Sequence, residues 1–144
     1  MIYTPNINKA INIMYKAHKE QYDKGNYPYV FHPYHVAEQM NTEEEIIVAL
    51  LHDVVEDTNI TIEDLSKEGF NSNIIEALKL LTKKIDNYEE YISKISTNPL
   101  AKKVKLADLK HNLDITRIPN PQERDYKRIE QYKKAIEILN NNNT

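Results

Sequence analysis

The sequence predicts an all-α fold, a single compact helical domain of about seven or eight helices. Only two of the 144 residues are glycine, Gly25 and Gly69, whereas sandwiches and barrels use many glycine-containing turns. Apolar residues recur at helical spacing along most of the chain, and no stretch alternates with period two for long enough to predict a strand. Since 40% of the residues are hydrophobic, the chain can build one core, but its length does not suffice for two domains of ordinary size.

The composition excludes several kinds of chemistry. The sequence contains no cysteine, which rules out disulfides, thiolate metal sites and a cysteine nucleophile. A metal ion would therefore need histidine, aspartate, glutamate or asparagine ligands. The N-terminus is amphipathic and has neither the apolar region nor the small-residue cleavage site of a signal peptide. No apolar run approaches the ~20 residues of a membrane-spanning helix, so we expect a soluble, cytoplasmic protein that does not contact membranes.

Acidic and basic residues are separated along the chain, although the net charge is only −3. Residues 41–64 contain eight acids and no lysine or arginine, whereas residues 101–134 contain ten lysines or arginines and five acids. An acidic cluster that faces a basic element suits a metal ion together with an anionic ligand, although most of these charges can equally be solvated helix faces. The basic C-terminal helices have little aromatic interleaving, so we expect no nucleic-acid partner.

Helix-start signals order the N-terminal half of the chain. Thr4 and Pro5 form an N-cap followed by proline at the first helical position, and a helix of four to five turns is expected there. A loop over residues 23–33 contains one glycine and two prolines, and a short helix is expected after Pro33. Residues 43–56 form the next predicted helix. Its acidic first turn suits the helix dipole, and its apolar residues 46–51 predict that it is central and buried.

The helices of the C-terminal half begin with similar signals. Thr61 with Asp64 resembles a capping box. Further helix starts are predicted at Ser72, Asp86, Asn98-Pro99 and Asn120-Pro121. Asparagine followed by proline combines an N-cap with the residue favoured at the first helical position, and these two pairs predict the last helices at about 99–116 and 121–139. The domain is therefore expected to span residues 1–139, and the asparagine-rich residues 140–144 to form a disordered tail.

Polar residues interrupt the predicted central helix near its end. His52 and Asp53 follow its apolar middle, and Glu56 and Asp57 come within one further turn. Negative charge is unfavourable near a helix C-terminus, and burying an unpartnered carboxylate costs several kcal/mol. A divalent cation would offset that cost. Alternatively, the acids are exposed where the helix ends and His52 is a hydrogen-bonded core histidine, and spacing alone leaves both interpretations open.

A second carboxylate lies on the core-facing stripe of the helix that starts at Pro99. Asp108 follows the apolar residues of that stripe, and Asn112 lies one turn further on. A carboxylate on the inner face of another helix is what a metal site between helices needs, whereas a buried aspartate that caps a neighbouring loop is the ordinary alternative. His32 ends the aromatic loop just before Pro33.

These residues occur within four segments that resemble a known family. The segments are AHKEQ at 17–21, PYVFHPYHVA at 28–37, ALLHDVVEDT at 49–58 and VKLADLKHN at 104–112. The order His32, His52-Asp53, Asp108 is similar to the H…HD…D signature of the HD superfamily of metal-dependent phosphohydrolases. The wording of the segments is closer to the hydrolase domain of the RelA/SpoT family, which removes the 3′-pyrophosphate of guanosine tetra- and pentaphosphate, (p)ppGpp. The resemblance covers about residues 6–118 and implies a stand-alone HD-domain hydrolase.

The resemblance also implies roles for individual residues. The metal ligands, for one divalent ion that is manganese in this family, would be His32, His52, Asp53 and Asp108. Glu56 and Asp57 match the acidic pair that positions or deprotonates the attacking water. The implied substrate contacts are Asn112 near the ribose and Lys24 and Lys83 near the phosphates or the base. The implied ligand is thus a small nucleotide.

One position departs from the family pattern. Asp23 stands where many members have an arginine that packs near the guanine, and an acid cannot replace that arginine by stacking or by donating hydrogen bonds. Two other functions therefore stay open beside (p)ppGpp hydrolysis. One is an HD phosphohydrolase that acts on another nucleotide or phosphoester, and the other is a catalytically silent nucleotide-binding or antitoxin-like module.

Overall fold

The computed structural model describes residues 1–82 and 85–141. Its helices, in chain order, are α1 (Pro5–His18), α2 (Phe31–Glu38), α3 (Glu43–Leu51), α4 (Val54–Asp57), α5 (Ile62–Lys67), α6 (Ser72–Leu81), α7 (Tyr88–Ile95), α8 (Pro99–Asn112) and α9 (Glu123–Asn141), with a 3₁₀-helix at Ile115–Arg117. Within the described residues the extended pairing is limited to one isolated bridge between Tyr22 and Pro28. The predicted all-α fold class is confirmed.

Helix α3 lies at the centre of the fold, as its apolar sequence predicts. Residues 46–51 are all fully buried, and α3 contacts α1, α2, α6 and α8. A helix that is apolar on every side loses its contact with water only when other helices surround it. Because His32 lies on α2, Asp108 on α8 and the His52-Asp53 doublet directly after α3, this packing brings their side chains to one place.

The predicted helix over 43–56 is interrupted at the His52-Asp53 doublet. Helix α3 ends at Leu51, and Asp53 has φ −106° and ψ −1°, which lies in the sparsely populated bridge region of backbone space. The chain resumes as the four-residue helix α4. The apolar pattern continues through Val54 and therefore gave no sign of a break.

The structure agrees with some of the predicted helix starts and differs from others. Thr4 and Thr61 are N-caps as expected, and Asp64 completes the capping box with Thr61. Asn98 caps α8 ahead of Pro99. Helix α6 begins at Ser72 as predicted, with Asn71 as its cap. Corrections are needed elsewhere: α2 begins at Phe31 rather than after Pro33, Asn87 rather than Asp86 caps α7, and α9 begins at Glu123 rather than at Pro121. Shifts of one to three residues are common where a helix begins.

The C-terminal helices also differ from their predicted bounds. Helix α8 ends at Asn112, and residues 115–117 form the separate 3₁₀-helix because the Asp114 side chain accepts a hydrogen bond from the Thr116 amide. Helix α9 continues to Asn141, two residues past the predicted domain boundary at 139, and residues 142–144 of the predicted tail lie outside the described part. None of the helices described combines the length and the apolar character needed to cross a membrane.

A capping box fixes the start of α3 and makes its stability depend on pH. Glu45 accepts hydrogen bonds from the backbone amides of Asn41 and Thr42 and lies 2.8 Å from Lys103 Nζ. Burial alone would raise the pKa of Glu45, but Lys103 and the two amides lower it. The ionised carboxylate therefore stabilises the folded chain above the ordinary glutamate pKa, and this contribution is lost as the pH falls through the lowered value.

We expect Glu45→Gln to reduce the free energy of unfolding by about 0.5 kcal/mol at pH 7, which is the typical contribution of a partly exposed ion pair. Glutamine still has a side-chain oxygen that accepts from the two backbone amides, but it lacks the charge that pairs with Lys103. Urea unfolding at pH 7 and at pH 3 measures the difference, which should be smaller at the lower pH. A loss of equal size at both pH values would contradict this assignment.

Candidate active site

Four side chains from three parts of the chain converge beside the end of α3. His32 Nε2 lies 2.8 Å from Asp108 Oδ1 and 3.8 Å from Asp53 Oδ2. His52 Nε2 lies 3.1 Å from Asp53 Oδ2 and 3.5 Å from Asp108 Oδ1. All four were singled out in the sequence, and the structure brings them together although His32 and Asp108 are 76 positions apart. We refer to these four residues as the His/Asp cluster.

The two imidazoles of the cluster direct the same ring nitrogen inward. His52 Nδ1 lies 2.6 Å from the Ala49 carbonyl, which only accepts, so Nδ1 carries the proton and Nε2 faces the cluster. That Nε2 is buried without a hydrogen bond, since neither nearby carboxylate oxygen has hydrogen-bond geometry despite the 3.1 Å and 3.5 Å separations. His32 Nδ1 lies 2.8 Å from His111 Nδ1, and the other ring nitrogen, His32 Nε2, is directed at the same point.

The cluster holds its carboxylates in the ionised form. Burial opposes ionisation of Asp53, but His52 outweighs it and lowers the pKa of Asp53 to about 2. Burial likewise raises the pKa of Asp108, while Lys105 and the two histidines bring it well below its usual range. Against the effect of burial, Asp53 and Asp108 raise the pKa of His52 well above the ordinary histidine value. Two buried carboxylates that attract a proton this strongly also attract a cation.

Neighbouring side chains fix the orientation of the carboxylates. Lys105 Nζ donates to Asp108 Oδ2 over 2.9 Å, and Asn112 Nδ2 donates to Asp108 Oδ1 over 3.1 Å. Tyr29 donates its hydroxyl proton to Asp53 Oδ2. Asn112, expected near a ribose, thus also supports the cluster. Outer partners of this kind orient metal ligands and raise their affinity.

The donor set fits a divalent cation. One ligand atom from each of His32, His52 and Asp53 lies within 4.8 Å of the others, and Asp108 Oδ1 contacts both imidazoles. Ligands placed about 2.1 Å from one ion at right angles are about 3 Å apart, which is close to the separations found here. Two imidazole nitrogens with two carboxylate oxygens form a mixed set that first-row divalent metals accept. A divalent cation at this point would also provide a partner for the buried His52 Nε2, which lacks a hydrogen bond.

A cleft of about 300 Å³ opens next to the cluster. Glu56 and Asp57, both from α4, line it together with Asp53 and Asp108. Burial and the negative charges of Asp53 and Glu56 raise the pKa of Asp57 to about 6. The break at His52-Asp53 is what turns α4 so that these two acids face the cleft. A group of carboxylates this close to a metal-type donor set is suited to proton transfer from water.

A second cavity, of about 230 Å³, is lined by His32 of the cluster and by Tyr29 and Asn112, which donate hydrogen bonds to the cluster's aspartates. We call it the basic pocket, after its cations Lys24, Arg117 and Arg128, although three aspartates, Asp23, Asp114 and Asp125, also line it. Lys24, a predicted substrate contact, therefore lines the cavity into which a substrate bound at the cluster would extend. Lys83, the other predicted contact of this kind, lies outside the described residues. Buried Asp125 sits 3.7 Å from Lys24 Nζ and holds it at the wall of the pocket.

Sequence reasoning missed several residues of the site. Arg128 and Tyr132 line both cavities but were treated as part of a solvated basic helix. A signal was present, because both lie on the inward stripe of α9 that includes Asp125 and Ala135, which are buried. His111 is half-buried between His35 and His32, with ring centroids 4.0 Å and 5.1 Å away. Burial, Arg117 and His32 lower its pKa to about 4.

Comparison with known proteins places this arrangement in context. No protein-family model matches the sequence. The guanosine-3′,5′-bis(diphosphate) 3′-pyrophosphohydrolase MESH1 of Danio rerio is 32% identical over 139 residues, which cover 86% of this chain and 76% of that protein. An enzyme of the same name without the suffix, from Aquifex aeolicus, is 32% identical over 120 residues, 74% of this chain and 17% of that protein. The enzyme of that name from Haemophilus influenzae is 34% identical over 113 residues, which cover 67% of this chain and 16% of that protein.

The fold has a solved counterpart. The structure of a metazoan ortholog of SpoT that hydrolyses ppGpp matches with a TM-score of 0.81 and 26% identity, covering 96% of this chain and 88% of that chain. By contrast, the chain spans only about a sixth of the length of the bacterial relatives named above.

An all-helical domain with histidine, a His-Asp doublet and a distant aspartate gathered beside its central helix defines an HD-type hydrolase domain. Within that class, the extended match to the zebrafish protein is decisive, and the chain belongs to the guanosine-3′,5′-bis(diphosphate) 3′-pyrophosphohydrolase family.

Proposed function

We propose that this chain is a metal-dependent hydrolase that removes the 3′-pyrophosphate of (p)ppGpp. The observation that carries the proposal is that each of His32 and His52 lies within 2.8–3.8 Å of both Asp53 and Asp108, beside two further acids and a basic pocket. Relatives that share this domain are named for the same reaction. We further propose that the protein works in the cytoplasm, where this nucleotide would be encountered.

We assign the four residues of the His/Asp cluster as the ligands of one divalent ion, and manganese as that ion. Nitrogen and carboxylate donors in equal number suit manganese and leave coordination positions open. When bound, the ion would lower the pKa of a water molecule and neutralise charge on the phosphate.

The acids of α4 act on the attacking water. Glu56 and Asp57 line the cleft beside the cluster and would orient a water molecule and accept its proton as it attacks the phosphorus bonded to the 3′-oxygen. The bond between that phosphorus and the 3′-oxygen breaks, the 3′-oxygen takes up a proton, and pyrophosphate leaves. GDP is the second product when ppGpp is the substrate. No covalent intermediate is required.

The basic pocket binds the rest of the nucleotide. Lys24, Arg117 and Arg128 line a cavity that also includes Asn112, so a ligand that reaches the cluster through its 3′-phosphates places its ribose near Asn112 and its remaining charge near the cations. Two diphosphate groups make the nucleotide strongly anionic, and arginine and lysine are the side chains that bind phosphates best. Lys83 is proposed as a further contact on the resemblance alone.

Turnover with a defined metal tests the proposal. The purified chain, incubated with Mn²⁺ and ppGpp, should release GDP and pyrophosphate in equal amounts, and a chelator should stop the reaction. Stoichiometric metal binding without turnover would reject the proposal. A panel of other nucleotides belongs in the same experiment because Asp23 lines the basic pocket. Hydrolysis of another nucleotide with ppGpp left intact would select the broader HD phosphohydrolase instead.

A further inference from the structure

A histidine outside the His/Asp cluster contacts one of its members. His32 Nδ1, the ring nitrogen that does not face the cluster, lies 2.8 Å from Nδ1 of His111 on α8. The two ring planes differ by only 5°, and the ring centroids are 5.1 Å apart. Because the nitrogens are so much closer than the centroids, the rings meet edge to edge. The N–H bonds and lone pairs of imidazole nitrogens lie in the ring plane, so this contact has the geometry of a hydrogen bond.

The packing of α2 on α8 holds His111 in this position. Its carbonyl accepts hydrogen bonds from Arg117 Nη1 over 3.1 Å and from the Asp114 amide over 3.2 Å, which fix the backbone at the end of α8. The His111 ring also stacks on His35 of α2, with the centroids 4.0 Å and the planes 22° apart. His32 and His35 therefore hold the imidazole from the same neighbouring helix.

The proton of the His32–His111 contact has one direction when His32 donates to the cluster. His32 Nε2 forms a 2.8 Å hydrogen bond with Asp108 Oδ1, and an ionised carboxylate only accepts. The His32 proton is then on Nε2. Since a neutral imidazole has one donor nitrogen and one acceptor nitrogen, His32 Nδ1 accepts and His111 Nδ1 donates.

The direction is the opposite when His32 serves as a metal ligand. An Nε2 atom that binds a cation uses its lone pair, so the His32 proton must be on Nδ1, from which it is donated to an outer partner. His111 Nδ1 can accept that proton only if His111 carries its own proton on Nε2. An imidazole at position 111 can make this exchange at one atom and stay neutral.

The second ring nitrogen of His111 has access to water. His111 is half-buried and lines a cavity of about 550 Å³ together with His35, Lys110 and Asp114. Since His111 Nδ1 faces His32, Nε2 is the nitrogen that can exchange a proton with water in this cavity. The chain thus provides what a change of tautomer at His111 requires.

Building on the proposed function, we propose that His111 is a positioning residue that sets the tautomer of His32 and so raises the affinity of the cluster for its divalent ion. When His32 takes up the ion, the His111 Nδ1 proton passes to His32 Nδ1, the His32 Nε2 proton leaves to water, and His111 Nε2 takes up a proton from water. One proton is released and one is gained, so both imidazoles end neutral.

The two imidazoles of the cluster therefore have different kinds of outer partner. His52 Nδ1 lies 2.6 Å from the Ala49 carbonyl, which only accepts and keeps the His52 proton on Nδ1. The partner of His32 can accept or donate, so the His32 tautomer depends on the state of His111. Outer partners of metal-binding histidines typically change metal affinity by about 10- to 100-fold.

The affinity for Mn²⁺ without nucleotide tests the proposal. His111→Phe keeps a ring that can stack on His35 but gives His32 Nδ1 no partner, and the dissociation constant measured by calorimetry should rise about 10- to 100-fold. His111→Asn should restore most of the affinity, because its amide offers either a donor or an acceptor near the position of Nδ1. His35→Phe makes the same exchange in the stacked ring and should leave the constant at the wild-type value.

A role in packing alone predicts a different pattern among these variants. If His111→Phe and His35→Phe weaken Mn²⁺ binding equally, or if His111→Asn binds no better than His111→Phe, the proposal is overturned. Unchanged affinity in His111→Phe overturns it as well. Thermal unfolding without metal shows which variants fold, and His111→Ala, which adds no bulk, carries the same expectation if His111→Phe does not.

The tautomer of His111 can be observed directly. In ¹⁵N spectra of the histidine-labelled chain, His111 should carry its proton on Nδ1 without metal and on Nε2 when diamagnetic Zn²⁺, which accepts the same nitrogen and oxygen ligands, is added. A His111 tautomer that is the same in both spectra would overturn the exchange of protons between the two rings.

None of these measurements uses ppGpp, which separates this inference from the proposed hydrolysis. If Mn²⁺ binds and the variants behave as expected but ppGpp is not hydrolysed, the hydrolase proposal fails and this one stands. If the wild-type chain hydrolyses ppGpp and His111→Phe binds Mn²⁺ as the wild type does, the hydrolase proposal stands and this one fails. A wild-type chain that binds no Mn²⁺ would also overturn the role of His111.

Discussion

Asp53→Asn is expected to abolish stoichiometric binding of the divalent ion and to lower the rate of ppGpp hydrolysis by about 10³-fold or more, since Lewis-acid stabilisation by a metal is worth several kcal/mol and about 4 kcal/mol corresponds to that factor. Asp53 Oδ2 lies 3.1 Å and 3.8 Å from the inward-facing nitrogens of His52 and His32, and asparagine removes its charge with little change of shape. Metal content after dialysis and initial rates at saturating Mn²⁺ measure the two effects.

Asp53 is a better position for this test than Asp108. Asp108 is only 4% exposed and pairs with Lys105, whose side chain is 15% exposed, so its removal would leave a largely withdrawn charge uncompensated, which costs up to about 3–5 kcal/mol. Loss of activity there could simply reflect unfolding. The Asp53 side chain is 21% exposed, and asparagine at this position can still accept the proton of Tyr29.

A matched change away from the site provides the control. Asp86→Asn removes the same charge from an exposed residue and should leave metal content and turnover at wild-type values. If Asp53→Asn keeps its metal and its activity while Asp86→Asn behaves as expected, the assignment of the cluster as a metal centre is refuted.

Much of the helical framework could be predicted from local signals. Thr4, Thr61 and Asn98 are caps because their side chains accept hydrogen bonds from amides three residues later, and that chemistry is legible in sequence. The central position of α3 followed from its uninterrupted apolar run. What could not be predicted was the break at His52-Asp53, because the residues on both sides continue a helical pattern and only the packed fold imposes the bend.

The residues of the site could likewise be predicted only in part. Spacing alone left the acids near His52 open to two interpretations, and only the similarity of four segments to a family joined His32 and Asp108 to the doublet. Tyr29 and His111 escaped notice because each acts through a contact distant in sequence, 24 positions to Asp53 and 79 positions to His32. Arg117 was missed for the same reason, as its partner Asp23 lies on a loop that precedes α2.

Glu56→Gln tests whether the chemistry of the cleft can be separated from metal binding. Glutamine has the shape of glutamate but cannot take a proton from water, and removal of a general base typically costs about 10²- to 10⁴-fold in rate. We therefore expect kcat for ppGpp to fall by that factor while metal content and KM change little. Glu63→Gln, on the exposed side of α5, is the matched control and should retain full activity.

The pattern of losses distinguishes the possible roles of Glu56. If metal content falls together with kcat, Glu56 contributes to the metal centre and the four-residue ligand assignment is incomplete. If kcat is unchanged, Glu56 is not the base, and Asp57→Asn should then produce the loss, because Asp57 lines the same cleft. Only a large fall in kcat with the metal retained agrees with a carboxylate that acts on water beside the ion without binding it, as the position of α4 just beyond the His-Asp doublet indicates.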